Sequence, residues 1–340
     1  MLKNRRFWIG VGLSILFLFL FLYQTDFTEM GQALREANYV FLLPGIALYF
    51  AGVFFRALRW RYLLRPLGTF SSFLLFPLIV IGFLVNNVLP ARLGIVARAY
   101  LLGKKEGVSK MAVGGTMVVE QVFDGVTLLL FAAIISLFVP LGGLLQQAVY
   151  IAAGLFLGAL VLCFILASSQ QLTQWAIAML LRILPTRLGE RVEEWLNLLL
   201  EGLGIMRSPG RLLILLAMSM PVWLCEAGVF YMVGLSFDLG QPFYVFLLAA
   251  AISNLAWALL MTPGGLGPFD YFCQQTLIYF GVAEAAATSY TVVLHAVILL
   301  PMIVLGFVFL WVENLSLTRL MPQENILAQG HDTTPQTRGD

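Results

Sequence analysis

Long apolar runs separated by short polar punctuation make up most of this chain, and the runs are of two kinds. Six of them, at about 7–23, 40–57, 111–138, 149–167, 212–236 and 288–312, have the roughly 20 residues that a helix needs to cross the hydrocarbon core of a bilayer. Two others, about 70–102 and about 242–281, are broken near their middle. The first holds Asn86, Asn87, Pro90, Arg92 and Gly94, and the second holds Thr262-Pro-Gly-Gly-Leu-Gly267. Both breaks share one frame, Pro90-x-x-Leu93-Gly94 and Pro263-x-x-Leu266-Gly267. Only about ten apolar residues follow Pro90 before Lys104-Lys105, too few to span, so both runs are expected to be helical hairpins that enter and leave on one face. Interrupted helices at corresponding places in two halves point to a midplane binding site in a repeat-built transporter.

The pattern predicts an all-α polytopic membrane protein. A single membrane domain over 1–321 divides at about 140, a cytoplasmic connector occupies about 168–211, and a polar tail over 322–340 is expected to be disordered. Trp175 and Trp195 place the connector helices along the inner interface or under the bundle. Charge placement orients the chain: with the amino terminus inside, all but Arg35 of the 20 Lys and Arg residues fall on the cytoplasmic side or in the first hairpin. That requires the first hairpin to open inward and the second outward, which makes the halves an inverted repeat with both termini cytoplasmic. Phe7–Tyr23, preceded by Lys3, Arg5 and Arg6, reads as a retained anchor.

Composition agrees, with 60% hydrophobic and 11% charged residues, against about 25% charged in soluble domains. Cys163, Cys225 and Cys273 sit in apolar runs without metal or disulfide spacing. No cofactor or metal is expected.

The candidate chemistry follows from the breaks. Pro90 suits the first turn of the second arm, whose amino end then faces the membrane centre. Unpaired N–H groups there, with the Arg92 guanidinium and with Arg98 near the mouth, make an anion site. Asn86 and Asn87 either bond a headgroup or satisfy backbone freed at the break. In Thr262-Pro263-Gly264-Gly265-Leu266-Gly267 either the consecutive N–H groups after the proline form an anion nest or the glycines serve close helix packing, and Asp270 either caps a helix or pairs with an arginine.

Glu120 and Asp124, four apart, share a helical face inside the bilayer, where each charge costs at least about 2.5–3.5 kcal/mol without a partner or water. Arg92 is the expected partner, and the acids act either as a structural ion pair or as a proton or amine site. Glu226, after a kink at Pro221, is the matching acid of the second half. His295 is read as a hydrogen-bonded packing residue, with a proton relay as the alternative. Arg56, Arg59 and Arg61 close the second crossing as an interfacial anchor that attracts anionic headgroups.

These residues together resemble the flippase-like membrane domain named after lysylphosphatidylglycerol synthase. The matching elements are Arg56-x-x-Arg59-Trp60, Asn87-x-x-Pro90-Ala-Arg92-x-Gly94 with Arg98, Glu120-x-x-x-Asp124, and Thr262-Pro-Gly-Gly-Leu-Gly267 with Asp270. Two positions depart from the family: Gln121 stands where it usually has Arg, and Asp270 where it usually has Glu. The resemblance implies movement or handling of a phospholipid or polyprenyl-linked lipid between leaflets, without the soluble aminoacyl-transferase domain of the full-length synthases. The expected partner is therefore a membrane lipid with an anionic headgroup, not nucleic acid, and the expected site is a bacterial cytoplasmic membrane. An intramembrane lipid-headgroup or lipid-linked sugar transferase and a proton-coupled solute carrier are the alternatives.

Overall fold

A computed structural model describes residues 5–23, 26–88, 93–168, 179, 209–260 and 262–313. Among these every regular element is helical. Connector residues Trp175 and Trp195, the tail, and the break residues Pro90 and Arg92 lie outside the described residues.

The expected crossings appear as α1 (Arg5–Leu22), α3 (Leu42–Leu63), α6 (Lys110–Ser136), α7 (Gly143–Ser168), α8 (Pro209–Ser236) and α11 (Glu284–Val312). Pro221 is carried inside α8 and Pro301 inside α11 without ending either helix. Between α1 and α3 lies α2 (Phe27–Glu36), a short polar helix that hydropathy does not predict. Its start is made by Asp26, whose carboxylate accepts from the N–H groups of Thr28 and Glu29 at 2.7 and 3.2 Å. Ser289 of α11 donates to the Met30 carbonyl and holds α2 against the bundle.

Each broken run is a helix–break–helix unit. The first is α4 (Ser72–Val88) and α5 (Gly94–Glu106), and the second is α9 (Phe243–Leu260) and α10 (Pro268–Tyr279), with a single 3-10 turn Pro263–Gly265 between them. At 13 and 12 residues, α5 and α10 extend only about 18–20 Å, short of a bilayer core of about 30 Å. The described part of the second arm begins at Gly94 rather than Pro90. There Leu93 occupies the cap position, and Asn86 reaches across to the Gly94 N–H.

Helix pairings in the core are unchanged when α3, α4, α5 and α6 are exchanged for α8, α9, α10 and α11. Thus α4 packs on α5 as α9 does on α10, and α4 on α11 as α9 on α6. In the same way α3 packs on α4 as α8 does on α9, and α5 on α6 as α10 on α11. The exchanging helices α3 and α8 pair with each other most extensively of all, and they run antiparallel. Asn38 N–H bonds the Ser236 carbonyl at one end, Gly52 meets Cys225 in the middle, and Arg59 meets Ser219 at the other end.

Glycine sets the closest approaches. A methyl group on Gly94 would overlap the Gly82 carbonyl and the Asn86 amide, so α4 and α5 touch backbone to backbone. Gly306 gives α11 its contact with Leu84 of α4. The largest apolar core, including Trp60, Leu78, Ile81, Leu84, Phe230 and Tyr290, runs through both halves and surrounds the polar centre.

Candidate functional site

Where α3 faces α6 and α8, the sequence places Arg56 and Arg59 one turn apart, so both guanidiniums project on the same side as Trp60 and Leu63. That side points inward. Arg59 is 0% exposed and Arg56 is 9% exposed. The expectation that both serve as interfacial anchors is therefore corrected: α3 continues to Leu63, carries the charges into the bundle, and leaves only Arg61 exposed. The count that oriented the chain includes Arg56, Arg59 and Arg98, which the structure uses inside.

Their partners are the acids of α6 and α8. Arg59 Nη1 lies 2.6 Å from Asp124 Oδ1 and donates to Ser219 Oγ at 2.8 Å, and its Nη2 lies 3.2 Å from Glu120 Oε1. Arg98 of α5 takes the other Glu120 oxygen at 3.0 Å. Arg56 bridges Asp124 at 3.4 Å and Glu226 at 3.0 Å, while Asn254 of α9 donates to Glu226 at 2.8 Å. Trp223 Nε1–H completes the Asp124 shell at 2.9 Å. Arg56 also stacks over Trp223 at 4.7 Å and Arg98 over Trp60 at 4.1 Å. Among the described residues, Glu120 and Asp124 are held by Arg56, Arg59 and Arg98; the expected partner Arg92 lies outside the described residues. Three guanidiniums face three carboxylates, and the network as described is neutral.

Beside this network lies a cavity of about 130 Å³ whose wall includes Arg56, Arg98, Glu226, Asn87, Gly264 and His295. The two breaks meet there. A methyl on Gly264 would stand 3.6 Å from the Asn87 carbonyl oxygen, so the second break touches the end of α4 directly. Gly264, Gly265 and Gly267 have φ of 59°, 80° and 92°, a left-handed path that side chains disfavour.

Two of the N–H groups expected to form an anion nest are taken. Gly265 N–H bonds the Thr262 carbonyl at 3.2 Å, and Gly267 N–H bonds Asp270 Oδ2 at 2.9 Å. At the first break Gly94 N–H is likewise held by Asn86 Oδ1 at 2.8 Å. Turn backbone so deep in a bundle is satisfied internally, because water is scarce there. Asp270 caps α10 and approaches His295 Nδ1 at 2.5 Å instead of an arginine, and His295 Nε2 faces the Gly264 carbonyl at 3.0 Å. Pro263 belongs to the turn itself.

Sequence reasoning missed Asn254, Ser219, Trp223 and Thr116, the last bonded by Trp60 Nε1 at 3.3 Å. Asn254 carried a usable signal, being an amide inside an apolar run. The serine and threonine did not, since in spanning helices such hydroxyls ordinarily bond their own backbone, as Ser219 also does to Leu215.

The family model described as "Lysylphosphatidylglycerol synthase TM region" matches residues 7–306. The chain belongs to that family. Among curated relatives, a UPF0104 membrane protein of Methanothermobacter thermautotrophicus is 24% identical over 281 residues, 78% of this chain and 83% of the relative. A UPF0104 membrane protein of Methanocaldococcus jannaschii is 26% identical over 192 residues, 55% of this chain and 76% of the relative. In this member of the lysylphosphatidylglycerol synthase membrane-region family, arginines reach the α6 acids from α3 and α5, so Gln121 need not supply one.

Proposed function

We propose that this chain is a carrier, not an enzyme, that moves a lipid with a phosphate-bearing headgroup, a phospholipid or polyprenyl-phosphate-linked lipid, from one leaflet to the other. The headgroup passes through the polar cavity while the acyl chains stay in surrounding lipid. The observation that carries this reading is the contact between Asn87 and Gly264, which brings breaks from two halves of the chain together at a polar cavity inside a bundle of long apolar helices. Broken backbone at such depth is tolerated where it lines a cavity, and paired broken helices are how repeat-built carriers form a site. The exchange of pairings, with α3 antiparallel to its counterpart α8, supports an inverted repeat. Family membership supports a lipid-related role.

The charge network refines the substrate. Arg56 and Arg98 line the cavity but each already holds a carboxylate. An entering phosphate therefore competes with Glu226 or Glu120 for a guanidinium, and binding is an exchange of anions instead of the filling of a bare positive hole. Cytoplasmic termini in a bacterial cytoplasmic membrane remain part of this proposal, resting on the exposed basic residues.

The test is leaflet exchange of fluorescent phosphatidylglycerol, phosphatidylethanolamine and a polyprenyl phosphate in reconstituted vesicles, read with a membrane-impermeant quencher. Exchange above protein-free vesicles is expected for at least one lipid, with loss in Arg92→Ala and Arg98→Ala protein that still purifies folded. Background rates across the whole panel would overturn the proposal, and conversion of a lipid donor to a new lipid would replace it with a transferase.

A further inference from the structure

The second break is fastened by groups that the charge network does not use. His295 of α11 presents Nδ1 to Asp270 Oδ1 at 2.5 Å and Nε2 to the Gly264 carbonyl at 3.0 Å, so both ring nitrogens face acceptors. Asp270 Oδ2 accepts from Gly267 N–H at 2.9 Å, and Phe269 packs edge-on to the imidazole at 5.2 Å. A ring placed between two acceptors fits them only when a proton lies on each line. Nε2–H donates to Gly264, and one further proton is shared between Nδ1 and Asp270, as imidazolium with carboxylate or as imidazole with carboxylic acid. Remove that proton and one nitrogen lone pair must point at an oxygen lone pair. The arrangement relaxes by separating the turn from α11.

Gly264 is also the residue that meets Asn87, and His295, Gly264 and Asn87 all line the cavity. We propose that Asp270 and His295 form a proton-binding site that holds the two breaks together while occupied and releases them when the proton leaves to cavity water. The proton count balances: the pair takes one proton from water and returns it, changing its net charge from zero to minus one. Deprotonation opens the contact, so a proton gradient becomes a means of driving or timing movement through the cavity.

The surrounding groups leave the pair as the local titrating unit. On α10 the other titratable groups are Tyr271, the Cys273 thiol and Tyr279, and on α11 they are Glu284 and Tyr290, whose hydroxyl bonds the Phe230 carbonyl. From α4 come only the amides Asn86 and Asn87. Arg56 of α3 and Glu226 of α8 line the same cavity but are bound to each other, and α2 offers Glu29, Arg35 and Glu36 around its own partly exposed surface.

Asp270→Asn is the discriminating variant. The amide keeps an oxygen for Gly267 N–H and an N–H for His295 Nδ1, reproducing the protonated arrangement with no proton to lose. His295 and His331 are the only histidines in the sequence, so His331→Asn protein with isotope-labelled histidine shows one ring by nitrogen NMR in nanodiscs. Between about pH 5 and pH 9, the full chain is expected to show His295 titrating, whereas Asp270→Asn holds it as the Nε2–H tautomer throughout. In parallel, Leu299→Cys, beside Gly264, is labelled with a water-soluble maleimide after Cys163, Cys225 and Cys273 are changed to Ala. The labelling rate relative to the same protein with Asp270→Asn is expected to rise with pH. A ratio constant with pH, or a His295 ring that does not titrate in the unaltered chain, would overturn the proposal. If Asp270→Asn does not fold, His295→Gln serves as the non-titrating reference. Neither readout uses a transported lipid, so this site fails or stands apart from the carrier reading.

Discussion

Arg59→Met is the most direct test of what holds the centre together. The substitution keeps a long unbranched side chain but leaves Asp124 and Glu120 without the one cation that touches both. Removing one partner of a fully enclosed ion pair costs about 3–5 kcal/mol, because the other charge stays buried. Here the loss is expected near about 3 kcal/mol, the low end of that range, since Arg56 still reaches Asp124 at 3.4 Å and Arg98 still reaches Glu120 at 3.0 Å. Unfolding in mixed micelles or by steric trapping gives the free energy directly. A cycle with Asp124→Asn should return a coupling of about 1–3 kcal/mol, and the triple variant Arg59→Met, Glu120→Gln, Asp124→Asn should recover much of the single variant's loss. If Arg59→Met falls within about 0.5 kcal/mol of the unaltered chain, the network is not what stabilises the meeting of α3, α6 and α8, and the reasoning fails.

Gly94→Ala should abolish or severely destabilise folding, because its methyl overlaps the Gly82 carbonyl, whereas Gly114→Ala, with open space around it, should be neutral or stabilising by up to about 1 kcal/mol; thermal stability of the purified proteins compares them. Asp26 has its carboxyl held below the ordinary value of 3.8 by the N–H groups of Thr28 and Glu29. Its contribution to α2 is therefore complete above that value and is lost as pH falls through the lower folded value, so hydrogen exchange should show α2 fraying in acid. In Asp26→Asn, that acid-dependent change should disappear. Trp223→Phe keeps a ring under Arg56 but drops the N–H to Asp124, and should destabilise by about 1–3 kcal/mol, the cost of a hydrogen bond to a charged group.

Apolar length and the two Pro/Gly breaks were enough to place the long apolar helices among the described residues, because a spanning helix and its interruption are both local properties of the chain. The destination of charge was not local. Arg56-x-x-Arg59 reads the same whether it faces headgroups or an interior acid, and what decides is that α6 and α8 bring Asp124 and Glu226 to that face. Helix α2 escaped a reading based on hydropathy, although Asp26 with Glu29 three residues on is a usual opening for a helix. At the breaks, the bonds of Asn86 and Asp270 to the Gly94 and Gly267 N–H groups depend on how far the arms fold back. Proline and glycine spacing alone does not specify that distance.

On the proposed inverted repeat, core pairings that map onto themselves when the halves are exchanged would allow a twin arrangement in which each half takes the other's pose. Selection between the twins then falls to whatever has no counterpart. The contacts of His295 with Asp270 and the Gly264 carbonyl at the second break are of that kind. On the proposed carrier reading, contacts outside the symmetric frame would then set which face of the membrane the molecule prefers at rest.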